Sequence, residues 1–437
     1  MREVKDSGVE WIGKIPKDWN IEPLKSNFSF GKGLPITKAN LTNCGYPVLS
    51  YGQIHSKKNN PVHILPELIR YVGNEFSDYK QSWANEGDIL FADTSEDVSG
   101  IGNHSYVDLQ DGIYAGYHTI LARKLASIDS RYFSFLFQTD AWRYQLRQYA
   151  TGIKVFSITK RMLSNANVLV PPLAIQQRIA DYLDDKCSKI DAIIEKQEKI
   201  IEKLKGYRLA IILETVTKGI NGSEDWKDSN VEWMGKIPSD WDIATIGRIA
   251  TVVRGASPRP AGDPRYFNGN DVPWITVAEV TKDVGKYIFE TESFLTKDGA
   301  RLSRIVEAGT LLLSNSGATL GVPKITKITG CINDGSVAFY DLRIDKEYLL
   351  YVLASRTVEL RKQMQGYGQP NLNTAIVKSI AVPIPPQDEQ SKIVRFLDYK
   401  CESIDKQVVR REQLISKLTE YKKSLIYECV TGKKEVC

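Results

Sequence analysis

At 437 residues, with 42% hydrophobic and 25% charged side chains, the chain is long enough for at least two domains of ordinary globular composition. Six scattered cysteines without a Cys-x-x-Cys pair, no charged-then-apolar leader and no run near the roughly 18 apolar residues of a membrane span exclude a disulfide framework and a membrane segment, and predict a cytoplasmic protein. The net charge of +5, from 58 basic and 53 acidic residues, is mild and compatible with a nucleic-acid partner without requiring one.

The first feature in chain order is Ser7-Gly8-Val9-Glu10-Trp11-Ile12-Gly13-Lys14-Ile15-Pro16-Lys17-Asp18-Trp19. It returns as Ser229-Asn230-Val231-Glu232-Trp233-Met234-Gly235-Lys236-Ile237-Pro238-Ser239-Asp240-Trp241. A match of that length is not chance, so the chain carries an internal repeat. Gly and Pro make each copy rich in turns, and the paired tryptophans predict a clip packed against a domain body.

The stretches that follow have drifted far apart, but landmarks survive. Pro47-Val48-Leu49-Ser50 resembles Pro273-Trp274-Ile275-Thr276, and Gly87-Asp88-Ile89-Leu90-Phe91 resembles Gly309-Thr310-Leu311-Leu312-Leu313. Apolar runs bounded by Gly and Pro predict short buried strands. Segments Tyr132 to Tyr149 and Glu347 to Gln365 carry Leu, aromatic and basic residues at helical spacing. Gly31-Lys32-Gly33 is a lone short glycine motif, for which a turn is the default.

Two long helices organise the rest. Leu183, Ile190, Gln197, Leu204 and Ile211 recur every seventh residue, and Cys187, Ile194 and Ile201 interleave with them, giving the a/d stripe of a coiled coil. Ile193, Ile200 and Tyr207 widen the stripe beyond a two-stranded seam, which predicts more than one packing neighbour. The pattern returns from Pro385-Pro386 onward: Gln176 meets Gln390, Leu183 meets Leu397, Cys187 meets Cys401 and Ile190 meets Ile404, while Ile201, Leu204 and Tyr207 meet Ile415, Leu418 and Tyr421. Cys187 and Cys401 are expected as small core hydrophobes. Gln197 and Arg208 break the first stripe where Arg411 and Lys422 break the second, polar interruptions that fix register at some cost in stability. Pro171-Pro172 and Pro385-Pro386 forbid helix before each run, so both helices start just after them.

The expected fold is mixed α/β (α+β). Domains at 1–170 and 221–383 stand in a pseudo-two-fold repeat with long helical spacers at 171–220 and 384–437, and such a repeat runs the two helices antiparallel. About 43 helical residues at roughly 1.5 Å each span about 65 Å. Like ends and unlike centres are how one scaffold carries two specificities.

The repeated Ser-x-Val-Glu-Trp-x-Gly-x-Ile-Pro-x-x-Trp opening, Tyr367-Gly368-Gln369-Pro370-Asn371-Leu372 before the second helix, the Pro-Pro-x-x-x-Gln helix starts and the duplicated helix together resemble the specificity subunit of type I restriction-modification systems, over the whole chain. The first half departs from the pattern, with Phe156-Ser157-Ile158 where Pro370-Asn371-Leu372 stands. The resemblance implies two target-recognition domains, each taking one half of a split site on double-stranded DNA, held apart by helices that also dock two methyltransferase subunits. It implies restriction and translocase subunits as further partners. It implies no cofactor in this chain, S-adenosylmethionine belonging to the methyltransferase subunits. Helix packing and subunit docking fall to Leu183, Ile190, Ile194, Ile201, Leu204, Leu397, Ile404, Ile415 and Leu418.

Base readout wants Arg, Lys, Asn, Gln, Ser, Thr or His on loops. In the first domain the candidates are Tyr51, Gln53, His55, Lys57, Lys58, Thr94, His118 and Lys154; in the second, Arg254, Arg259, Arg265, Thr276, Asn315, Tyr367, Gln369 and Asn371. For each, a loop residue touching only water or backbone is the competing reading. No catalytic residue is assigned. Neither Val170-Pro171-Pro172-Leu173 nor Ile384-Pro385-Pro386-Gln387 is the Asn/Asp-Pro-Pro-aromatic loop of a DNA methyltransferase, and no Gly-x-x-x-x-Gly-Lys-Ser/Thr phosphate loop occurs. His55, His63, His104 and His118 lack metal-ligand spacing, so no metal is expected and they are taken as surface or base-contacting groups. Glu420-Tyr421-Lys422 echoes a nuclease Glu-x-Lys but falls on the helix stripe. The alternatives left open are a DNA-modifying or cleaving enzyme with an unrecognised motif, and a coiled-coil assembly factor without DNA affinity.

Overall fold

The computed structural model describes residues 3–9, 12–125, 127–150, 155–283, 285–317, 319–363 and 372–436. The chain divides into two compact units, 1–197 with 413–437, and 198–412. Each unit holds one mixed α/β domain and a segment of each long helix. Those helices span Leu173–Lys218 and Gln387–Val430.

In the first unit, an antiparallel four-stranded sheet runs in the order His104–Tyr106, Ile89–Ala92, Thr119–Lys124, Phe28–Lys32. A five-stranded sheet beside it contains a parallel pair, Tyr46–Leu49 with Ile113–Ala115. Strands Asn20–Pro23 and Asn167–Val170 pair antiparallel and close the domain at its two chain ends. The second unit repeats the scheme. Thr251–Arg254, Ser336–Tyr340, Leu311–Ser314 and Pro323–Thr326 form the antiparallel run, Phe267–Ile275 pairs parallel with Gly330–Ile332, and Asp242–Thr245 with Ala381–Ile384 closes the domain. Strands Ile89–Ala92 and Leu311–Ser314 are buried along their whole length, as unbroken apolar runs require.

The first predicted helical segment is two helices, Ser130–Phe137 and Asp140–Arg147, because Thr139 caps the second through Trp142 N–H. The second is the single helix Lys346–Gln363. Gly31 and Lys32 lie in a strand rather than a turn. Gly33 follows them, and a Cβ there would sit 1.9 Å from the Gly116 carbonyl oxygen. Gly255 stands in the same relation to Asn333, at 2.1 Å. In both domains glycine therefore lets two loops touch.

The motif residues shared by the two halves become one set of buried bonds made twice. Gln176 takes a hydrogen bond from Asp129 N–H at 2.9 Å and donates to the Pro171 carbonyl at 2.8 Å; Gln390 does the same with Asp345 and Pro385, both at 2.8 Å. Each glutamine thus ties the start of a long helix to the N-cap residue of a domain helix, since Asp129 and Asp345 cap the helices they precede. Tyr132 Oη donates to the carbonyl of Val430, and Tyr348 Oη to that of Val216, orphan acceptors in the last turns of the long helices. Trp19 and Trp241 are fully buried in the two cores, and Trp241 Nε1 donates to Glu389 at 2.9 Å.

Within each unit the helix segments run antiparallel. Asp191 pairs with Lys422 at 2.7 Å in the first, and Arg208 with Asp405 at 3.1 Å in the second. Two of the polar breaks in the stripes, Arg208 and Lys422, are therefore ion-paired across the helices. Leu183, Ile190, Ile201, Leu397 and Ile404 are buried, whereas Ile194, Leu204, Ile415 and Leu418 are half-buried. Cys187 and Cys401 are buried free thiols. Tyr207 and Tyr421, at equivalent repeat positions, are each 55% exposed. No helix among the described residues is long and apolar enough to cross a membrane.

Candidate nucleic-acid interface

Four of the first-domain candidates converge. Ser50 and Gln53 form a capping box that starts the short helix Tyr51–Ile54, and this places the Tyr51 ring at the helix start. The ring meets His118 edge-on at 5.3 Å, Tyr117 at 5.5 Å and His55 at 6.2 Å. His118 sits at φ 54°, a left-handed conformation that a non-glycine residue adopts at a cost and that turns its ring toward Asp93. His118 Nδ1 is 3.3 Å from Asp93 Oδ1 and 3.4 Å from Thr94 Oγ1, and Thr94 Oγ1 donates to Asp93 Oδ1 at 2.7 Å. His55 Nε2 donates to the Thr94 carbonyl at 2.7 Å, and Asn103 Nδ2 donates to His55 Nδ1 at 3.0 Å, a pairing that fixes the tautomer. Behind Asn103 stands Arg143, whose guanidinium burial pushes down to about 10.

Gln53 is committed to its cap at 3.2 Å, and Lys57 and Lys58 are exposed in the turn after the helix. Lys154 lies outside the described residues. His63 belongs elsewhere. Its hydrogen bond to Asp108 raises its pKa against the opposing pull of burial. His104 corrects the expectation of surface or base-contacting histidines: it is fully buried between the carbonyls of Gly102 and Ser134, and burial pulls its pKa down to about 3.

The same backbone junction recurs in the second domain. Asp93 N–H donates to the His118 carbonyl and Ile158 N–H to the Asp93 carbonyl; correspondingly, Asn315 N–H donates to Gly335 and Leu372 N–H to Asn315, all between 2.7 and 3.0 Å. Asp93 thus corresponds to Asn315, and His118 to Gly335. A Cβ on Gly335 would come within 2.5 Å of Val277, the residue after the Thr276 N-cap, so a bulky group has no room there. Asn315 corrects the expectation of a base-contacting side chain: it is fully buried, and among the described residues neither end of its side-chain amide has a hydrogen-bond partner.

Arg254 and Arg259 gather on Asp334: Arg254 Nε donates to its carbonyl at 2.7 Å, while Arg259 and Ser257 reach its carboxylate at 3.2 and 2.6 Å. Arg265 stands apart, gripped by Asp263 at 2.7 Å. Tyr367, Gln369 and Asn371 lie outside the described residues. Sequence reasoning missed Asp93, Asn103, Arg143 and Asp334. Asp93 had a signal, since continuing the alignment of Ile89-Leu90-Phe91 with Leu311-Leu312-Leu313 by two residues sets it against Asn315. Among the described residues no cluster of three or more His, Cys, Asp or Glu is arranged to hold a metal.

Two domains are built on one frame and carry unlike polar groups at a shared junction. The chain belongs to the family of the type I restriction modification DNA specificity domain, whose profile matches twice, at residues 16–205 and 238–412. It is 24% identical to the type I restriction enzyme MjaVIII specificity subunit of Methanocaldococcus jannaschii, over 97% of this chain and 94% of that one. It is 22% identical to the EcoKI specificity subunit of Escherichia coli, over 93% and 88%. A chain from a solved structure of a type I R-M system shares the fold at TM-score 0.72 and 18% identity, over 96% of this chain and 99% of that one.

Proposed function

We propose that the chain is the non-catalytic specificity subunit of a type I restriction-modification enzyme. Each domain takes one half of a bipartite duplex target, the first through Tyr51, His55, Thr94 and His118, the second through Arg254, Arg259 and Thr276. The long helices set the gap between half-sites and dock two methyltransferase subunits, which bring S-adenosylmethionine; restriction and translocase subunits complete the cytoplasmic assembly. The observation that carries this reading is the pairing of a buried frame made twice with different side chains at one junction. The matched exposed tyrosines, Tyr207 and Tyr421, support one docking surface per repeat.

The test is methylation of a duplex library randomised in sequence and gap. The chain alone should neither methylate nor cut when given methyl donor and divalent metal. With methyltransferase subunits it should direct methylation to one split motif with a fixed gap. Modification or cleavage by the chain alone would favour an enzyme, and an absence of salt-dependent duplex binding would favour an assembly factor.

A further inference from the structure

Among the described residues Asp93 is the acid at the centre of the first-domain cluster, and its two oxygens differ. Oδ1 is occupied by Thr94 Oγ1 at 2.7 Å and faces His118 Nδ1 at 3.3 Å. No hydrogen bond or ion pair of Oδ2 is present among the described residues, and the side chain remains 33% exposed. The neighbouring acid Asp97 is otherwise engaged, taking Ser99 Oγ at 2.6 Å and Gly100 N–H at 2.7 Å to close its own loop.

Asp93 is also held more firmly than an ordinary loop residue. Backbone bonds on both sides join it to His118 and Ile158, and Thr94, next in sequence, is tied through its carbonyl to His55. A carboxylate fixed in this way presents an acceptor and no donor. In the major groove the complementary group is an exocyclic amine, N4 of cytosine or N6 of adenine, whereas guanine offers only the acceptors O6 and N7 and thymine only O4 with its methyl. The Tyr51 ring packs edge-on against His118, the imidazole that faces Asp93 Oδ1.

We infer that Asp93 is a specificity-determining residue of the first domain, its free carboxylate oxygen restricting one position of that half-site to an amino-bearing base edge, cytosine N4 or adenine N6. This rests on the two-reader function proposed above. The second domain supplies the comparison: at the same backbone position the Asn315 side chain is fully buried and offers no exposed carboxylate, so the corresponding position there follows a different rule.

The experiment is methylation profiling of the assembled complex on a library randomised in both half-sites, with the native chain and with Asp93→Asn. The substitution keeps size and an acceptor for Thr94 Oγ1, and thermal unfolding of the complex reports whether the fold is kept. The native complex should favour cytosine or adenine at one first-half position over guanine or thymine by on the order of ten- to a hundredfold. Which of the two amines is recognised follows from the base recovered. In Asp93→Asn that position should relax toward bases offering an acceptor, guanine included, with the second half-site and gap unchanged. An unchanged first half-site at full methylation overturns the inference, and so does a uniform loss of methylation with unchanged base preferences. A native complex with no split motif removes the proposed function itself, and this inference with it.

Discussion

The first-domain junction carries an acid among aromatic and imidazole rings, while the second carries an amide beside a glycine, yet the backbone hydrogen bonds through the two are the same. Behind both lie the same glutamine and tyrosine bonds to the long helices. Frame and junction side chains are therefore separable: bonds that fix the strands and helices recur, and the side chains at the loops are free to differ.

Equivalence of the two frames is most severely tested at the glutamines. Gln176→Leu leaves the Asp129 N–H and the Pro171 carbonyl without their partner inside a core, and Gln390→Leu does the same to Asp345 and Pro385. Each should cost its own unit roughly 2–4 kcal/mol. Urea titration read by pulse hydrogen exchange, which follows the units separately, should give losses of similar size. A large loss in one unit and none in the other would break the equivalence.

Histidine content sets the units apart. All four histidines are in the first unit, and His104 stays neutral there down to about 3, while an unfolded histidine titrates near 6.5. Between those values the unfolded chain binds one more proton than the folded chain. Stability from this group is thus full above about pH 6.5 and falls as the solution is acidified, by roughly 2 kcal/mol at pH 5. His63, raised by Asp108, acts in the opposite sense: it stabilises below about 6.5 and loses that contribution as pH rises through its folded pKa. The first unit should therefore lose more stability than the second between pH 7 and 5, and His104→Asn should reduce the difference. Parallel pH profiles would contradict the burial of His104.

The smallest expected stability effect is at Asn315, where an apolar side chain removes an unsatisfied amide. Asn315→Leu should be neutral or stabilise the second unit by about 1 kcal/mol, read by the same urea titration. Clear destabilisation would show that the amide is satisfied in the free protein.

Much of this was legible in the sequence because duplicated residues are duplicated contacts. The Pro-Pro-x-x-x-Gln starts returned as hydrogen bonds, and Trp19 and Trp241 as buried side chains, with Trp11 outside the described residues. The heptad stripes returned in part, Leu183, Ile190, Leu397 and Ile404 being buried and Ile194, Leu204, Ile415 and Leu418 half-buried. The break at Thr139 was not legible, because helical periodicity continues across a residue that caps through its side chain. Nor was the interior position of His104, since burial of one histidine depends on which strand covers it. Composition favoured donors such as Arg265, which stands apart and is spent on Asp263, and passed over Asp93 at the junction, where which oxygen is occupied depends on the fold.

Two independent recognition domains sharing one frame, as proposed, are tested most directly by domain exchange. Residues 22–165 would be replaced by the equivalent segment of a relative with a different target, and the assembled complex profiled for methylation on a randomised library. Independent domains predict one half-site altered, with the other half-site and the gap intact. A change in both half-sites, or in neither, would contradict the claim.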